Sequence, residues 1–130
     1  MQLSLKDNLP FTTVTIVSQG KAIEISDVLI DTGSGSTIFA ADVVASVGIA
    51  PSADDVLYTI RGVGGAEVVF TRQLESLFVG DKNLPGFEIE IGGMDYGFEI
   101  NGILGMDFLL RAGTLINLHD MKIEFSHDKE

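Results

Sequence analysis

Apolar and β-branched residues in this chain recur with a period of two, and glycine punctuates the segments they form. Alternation of that kind buries one face of a strand, whereas a surface helix needs a period near 3.6, so the pattern constrains the fold more than any other feature. Phe11-Thr12-Thr13-Val14-Thr15-Ile16-Val17 reads as a strand, and Gln19-Gly20-Lys21 as a turn into Ala22-Ile23-Glu24-Ile25. Val28-Leu29-Ile30 is a short continuous apolar run, the mark of a buried strand. Residues 56–60 and 68–71 flank Gly62-Val63-Gly64-Gly65 and predict a hairpin with a glycine tip. Leu77-Phe78-Val79 and Phe87-Glu88-Ile89-Glu90-Ile91 predict two further strands, separated by Gly80-Asp81-Lys82-Asn83. Residues 114–118 and 122–125 bracket a His119-Asp120 turn. Helical spacing occurs in two short stretches, residues 40–47 ending at Gly48 and residues 106–112 ending at Gly113. The expectation is an all-β fold, a small barrel or sandwich with one or two short helices.

Composition sets the limits within which that fold must work. The 130 residues are expected to form one domain, 1–130, and 45% of them are apolar, enough for a core without disulfides or metal. Eight Lys and Arg against nineteen Asp and Glu leave a net charge of −11, which disfavours nucleic acid and anionic membrane surfaces as partners. With no cysteine there are no thiolate nucleophiles, disulfides or zinc ribbons. The first residues lack a basic stretch followed by a long apolar run, and no span approaches eighteen apolar residues, so a cytoplasmic location is expected.

One stretch carries chemistry. Ile30-Asp31-Thr32-Gly33-Ser34 places a carboxylate directly after a buried apolar run, on a loop that glycine allows to turn tightly. Glycine also bares a backbone N–H towards the acid, and the Thr32 and Ser34 hydroxyls can hold the loop. Downstream, Ile100-Asn101-Gly102-Ile103-Leu104-Gly105 ends an apolar pair on glycine before the second helix, with the glycine-tipped hairpin in between.

In that order, Asp31-Thr32-Gly33, Gly62-Val63-Gly64-Gly65 and Ile103-Leu104-Gly105 make the chain resemble the retropepsin-like aspartic proteases over nearly its whole length. The spelling Leu104-Gly105-Met106-Asp107-Phe108-Leu109 is closer to cellular and bacterial members than to viral ones. The resemblance implies an acid-protease barrel with a flap hairpin, and an aspartic endopeptidase that needs no cofactor and no metal. It implies that Asp31 is catalytic, that Thr32 bonds across a dimer axis, that Ser34 bonds the outer oxygen of Asp31, and that Gly33 contributes backbone contacts. Gly62, Val63, Gly64 and Gly65 would form the flap, Ile103 and Asn101 would line a substrate pocket, and Leu104 would belong to the core. Because the chain offers a single Asp-Thr-Gly, and Asp107 falls inside the predicted helix, the partner is expected to be a second copy of the chain.

Two positions depart from the viral pattern, with Gly35 and Met106 where an Asp and an Arg form an ion pair. Their joint loss motivates a second reading, a catalytically weak or inactive retropepsin-fold module for dimerisation or peptide binding. His119-Asp120 and His127-Asp128 have no metal-site spacing. Asp31-Thr32-Gly33-Ser34-Gly35-Ser36 lacks the Lys of a phosphate loop, and an Asp at its head repels phosphate.

Overall fold

The structure, a computed structural model, describes residues 1–62, 65–93 and 99–126, with backbone alone over 60–62 and 65–67. Its strands are β1 (Ser4–Lys6), β2 (Leu9–Ser18), β3 (Lys21–Ile30), β4 (Ile38–Ala40), β5 (Tyr58–Gly62), β6 (Gly65–Gln73), β7 (Ser76–Val79), β8 (Lys82–Pro85), β9 (Glu88–Gly92), β10 (Gly102–Leu104), β11 (Thr114–Asn117) and β12 (Lys122–Phe125). The helices are α1 (Ala41–Val44), prolonged by a 3-10 turn at Ala45–Val47, and α2 (Met106–Arg111). Both stop where the sequence predicts, since Gly48 and Gly113 take φ values of +84° and +61° that end a helix readily only at glycine. No helix among the described residues is long and apolar enough to cross a membrane.

Ten strands form one sheet in the order β5-β6-β9-β4-β10-β3-β2-β7-β8, with β1 also paired to β2. β11 and β12 make a separate hairpin, against which the first three residues lie through Ile123 N–H to Met1 O (2.9 Å) and Leu3 N–H to Met121 O (2.8 Å). Several strands are longer than their alternation predicts, and four were not predicted as strands. β4 and β10 are three residues each and buried on both faces, so they carry no alternation. β8 reads as part of a turn because it contains Asn83 and Pro85, and β1 is short and exposed.

A bulge decides which way the site faces. The predicted strands 22–25 and 28–30 are one strand, β3, whose pairing with β2 shifts between Thr12 and Val14. Thr12 pairs with Val28 and Val14 with Ile25, so Ser26 and Asp27 together oppose Thr13 alone. Strict alternation would send Ile25 and Val28 to opposite faces; the extra residue puts Ile25, Val28 and Ile30 all into the main core. Asp27 adopts a left-handed φ of +56° at the bend. Leu29 is thereby left to pack on a second apolar cluster of Phe11, Ile38, Val69, Ile100 and Ile103.

The main core contains Leu104 and Phe108, both fully buried. Phe108 meets Phe87 and Phe125 edge-on, with centroids 6.1 and 6.0 Å apart, and so anchors α2 between the sheet and the terminal hairpin.

Candidate functional site

The site is built where three short segments cross: the end of β3, the loop to β4, and the junction of β10 with α2. β10 pairs parallel with β3, Leu104 opposite Ile30, and antiparallel with β4, Ile103 opposite Ile38. One residue past β3, Asp31 N–H donates to Leu104 O at 3.1 Å and continues that ladder. The loop then turns back, with Ser34 N–H donating to Asp31 O at 3.2 Å and Met106 N–H donating to Ser34 O at 2.7 Å. Backbone bonds therefore fix Asp31 from both sides.

The Asp31 side chain is half-buried, and Gly33 N–H donates to its Oδ1 at 2.8 Å. A Cβ on Gly33 would stand 3.1 Å from that same oxygen, a tight fit that explains glycine beside the acid. Thr32 is exposed, and its hydroxyl makes no hydrogen bond among the described residues. Ser34 does not reach the outer oxygen of Asp31 as the resemblance implied. Its Oγ donates instead to Ser36 O at 2.7 Å, two residues further along the same loop.

Across the crossing stands a second carboxylate. Asp107, in the first turn of α2, accepts Thr37 N–H at 3.1 Å, the Thr37 hydroxyl at 2.7 Å and Phe108 N–H at 2.7 Å. Thr37 is completely buried, and its Oγ1 also accepts Gly105 N–H at 3.1 Å. This clasp joins segments 70 residues apart and satisfies donors that the crossing would otherwise leave orphaned. Sequence reasoning missed it; an Asp in the first turn of the helix, directly before Phe108-Leu109-Leu110, was the available signal. Gly105 is extended, so its role is space: a Cβ there would collide with the Ser36 carbonyl and lie 2.9 Å from Ser34 O.

The remaining predicted residues are placed as follows. Ile103 is buried in the second cluster, and Leu104 is in the main core as expected. Asn101 is half-buried, and its amide donates to Ser26 O at 2.9 Å while its N–H donates to Asp27 O at 3.0 Å, so it braces the β3 bulge. Gly62 and Gly65 pair across the end of the β5–β6 hairpin, and Val63 and Gly64 between them lie outside the described residues. Met106 packs its side chain against the main core and Gly35 is exposed, so backbone bonds rather than an ion pair hold this junction.

Among the described residues, no group of three His, Asp or Glu side chains is placed to hold a metal ion. His119 is 96% exposed, and His127 lies outside the described residues.

The aspartyl protease family is matched over residues 12–108. The crystal structure of a retropepsin-like aspartic protease from Rickettsia conorii superposes with a TM-score of 0.65, covering 94% of this chain and 95% of that one at 19% identity. The fold is thus retropepsin-like. No curated protein sequence is a significant match.

Proposed function

The chain belongs to the aspartyl protease family, and on that premise we propose that it is an aspartic endopeptidase whose active site forms between two copies, each contributing Asp31. The observation that carries this reading is the state of the Asp31 carboxylate, which accepts one N–H from its own loop and, among the described residues, has no other hydrogen-bond partner. Asp107, across the same junction, is fully engaged by Thr37 and Phe108, so it does not serve as the second acid. The exposed Thr32 hydroxyl suits a contact with the second copy.

Two carboxyls about 3 Å apart cannot both ionise, so they share one proton, as aspartic proteases do as a class. The ionised member takes a proton from a bound water, whose oxygen attacks the peptide carbonyl carbon. The protonated member gives its proton to the carbonyl oxygen, and collapse of the tetrahedral species delivers a proton to the leaving nitrogen. The β5–β6 hairpin is the flap in this reading, closing over the peptide and excluding water.

Digestion of an unfolded polypeptide from pH 3 to 7, with wild type and Asp31→Asn side by side, tests the proposal. Cleavage by wild type alone supports it. Cleavage that survives the substitution contradicts it, and a dimer that binds peptide without cutting identifies the non-catalytic module instead.

A further inference from the structure

A row of cross-strand neighbours runs over one face of the sheet beside the Asp31 loop. Leu29 pairs with Ile103, Ile103 with Ile38, Ile38 with Glu90 and Glu90 with Thr71. Residues in register on adjacent strands project from the same face. One strip therefore begins two residues before Asp31 with three apolar side chains and continues into a carboxylate. Alternation along β9 agrees, since Ile89 and Ile91 enter the main core while Glu90 stays half-buried on the other side.

Two hydroxyls hold this carboxylate. Ser36 Oγ donates a short hydrogen bond to Glu90 Oε1, and the Tyr58 hydroxyl donates to Oε2 at 3.4 Å. Ser36 belongs to the loop that follows Asp31-Thr32-Gly33, and Tyr58 opens the first arm of the hairpin, so Glu90 sits between the two. Among the described residues no Lys or Arg pairs with it: Arg72 is engaged by Asp55 at 2.8 Å and Lys6 by Asp27 at 2.9 Å. Its charge is felt nearby, because burial first and the Glu90 carboxylate second push the Tyr58 phenol above its ordinary range.

We propose that Glu90 is a specificity-determining residue whose carboxylate receives a basic side chain, Lys or Arg, of the substrate peptide within about three residues of the scissile bond. The inference rests on the reading of Asp31 as the catalytic carboxylate. With strands roughly 4.8 Å apart, Glu90 stands two strands, about 10 Å, from Ile103, and an extended peptide covers that span in about three residues. Two neutral donors leave the carboxylate with free lone pairs, so a substrate cation completes what the described residues do not. Ser36 and Tyr58 act as positioning residues that fix the carboxylate before substrate arrives.

The test is a set of matched peptides bearing Lys, norleucine or Glu at each of the three positions on either side of the cleaved bond, read as kcat/KM. Wild type is expected to favour Lys over norleucine by about tenfold at one of these positions, the scale of a partly shielded ion pair, with Glu poorest. Glu90→Gln, which keeps the shape and can keep both contacts once one hydroxyl turns to accept the amide N–H, is expected to shrink that ratio to about twofold or less, and Glu90→Lys to turn the preference towards the Glu peptide. Cleavage with no basic preference, or a preference that survives both substitutions, overturns this proposal and leaves Asp31 in place. Cleavage of none of the peptides by wild type overturns both.

Discussion

Asp31 and Asp107 stand on opposite sides of one crossing, each two residues from a closely fitted glycine, Gly33 and Gly105, and their surroundings differ in kind. Asp107 receives three donors from its own chain, two from buried Thr37 and one from Phe108. Among the described residues Asp31 receives one, from Gly33, and it remains half-buried at the surface. A carboxylate whose acceptor directions are filled internally holds segments together; one left with open lone pairs can take a water, a proton or a second carboxyl. The two acids also depend on each other, because the Thr37–Asp107 clasp fixes the loop that presents Asp31.

Substitutions can break that contrast from either side. The largest effect is expected for Asp31→Asn, which should lower kcat/KM by about 10³-fold or more while shifting unfolding by less than about 1 kcal/mol. Peptide cleavage and urea unfolding on the same preparation check both halves. Gly105→Ala should act in the opposite sense, costing about 3 kcal/mol as its Cβ meets the Ser36 carbonyl, seen as a lowered denaturation midpoint. Asp107→Ala should cost about 2–3 kcal/mol by leaving the Thr37 N–H without a partner in a buried site, and its urea midpoint should fall with little change in m-value. If Asp107→Ala unfolds like wild type and loses activity outright, the two acids have been assigned the wrong way round.

Much of this arrangement was legible in the sequence. Alternation located β2, β7 and β9, and glycine marked the ends of both helices. Asp31 stood out because an acid directly after Val28-Leu29-Ile30 has no place in a core. The bulge was present in the sequence as a change of parity between Ile25 and Val28, but it reads equally well as a break between two strands. β4 and β10 escaped because three residues buried on both faces have no period. The Thr37–Asp107 clasp escaped for a different reason: pairing across 70 residues is fixed by topology, and neither residue type announces it.

The smallest expected effect concerns Tyr58, the link between Glu90 and the hairpin. Its phenol is raised above 10.0 by burial first and Glu90 second, so the folded state holds that proton more tightly than the unfolded state. The associated stability is fully present below pH 10.0 and declines as pH rises through the folded-state value. Ultraviolet titration in a Tyr96→Phe background should therefore place Tyr58 ionisation above that of free tyrosine, and Glu90→Gln should bring it down. An unshifted Tyr58 in both backgrounds would contradict the contact.

On the proposed reading one chain carries half a site, and mixing chains distinguishes that from a site complete in each chain. Wild type and Asp31→Asn are unfolded together, refolded at equal proportions, and assayed for cleavage per wild-type chain. If Asp31 works in pairs, about half of the wild-type chains find a wild-type partner (about a quarter of all dimers), and activity per wild-type chain falls to about half that of wild type alone. Activity per wild-type chain that stays unchanged as Asp31→Asn is added would contradict the account, because each chain would then cut on its own.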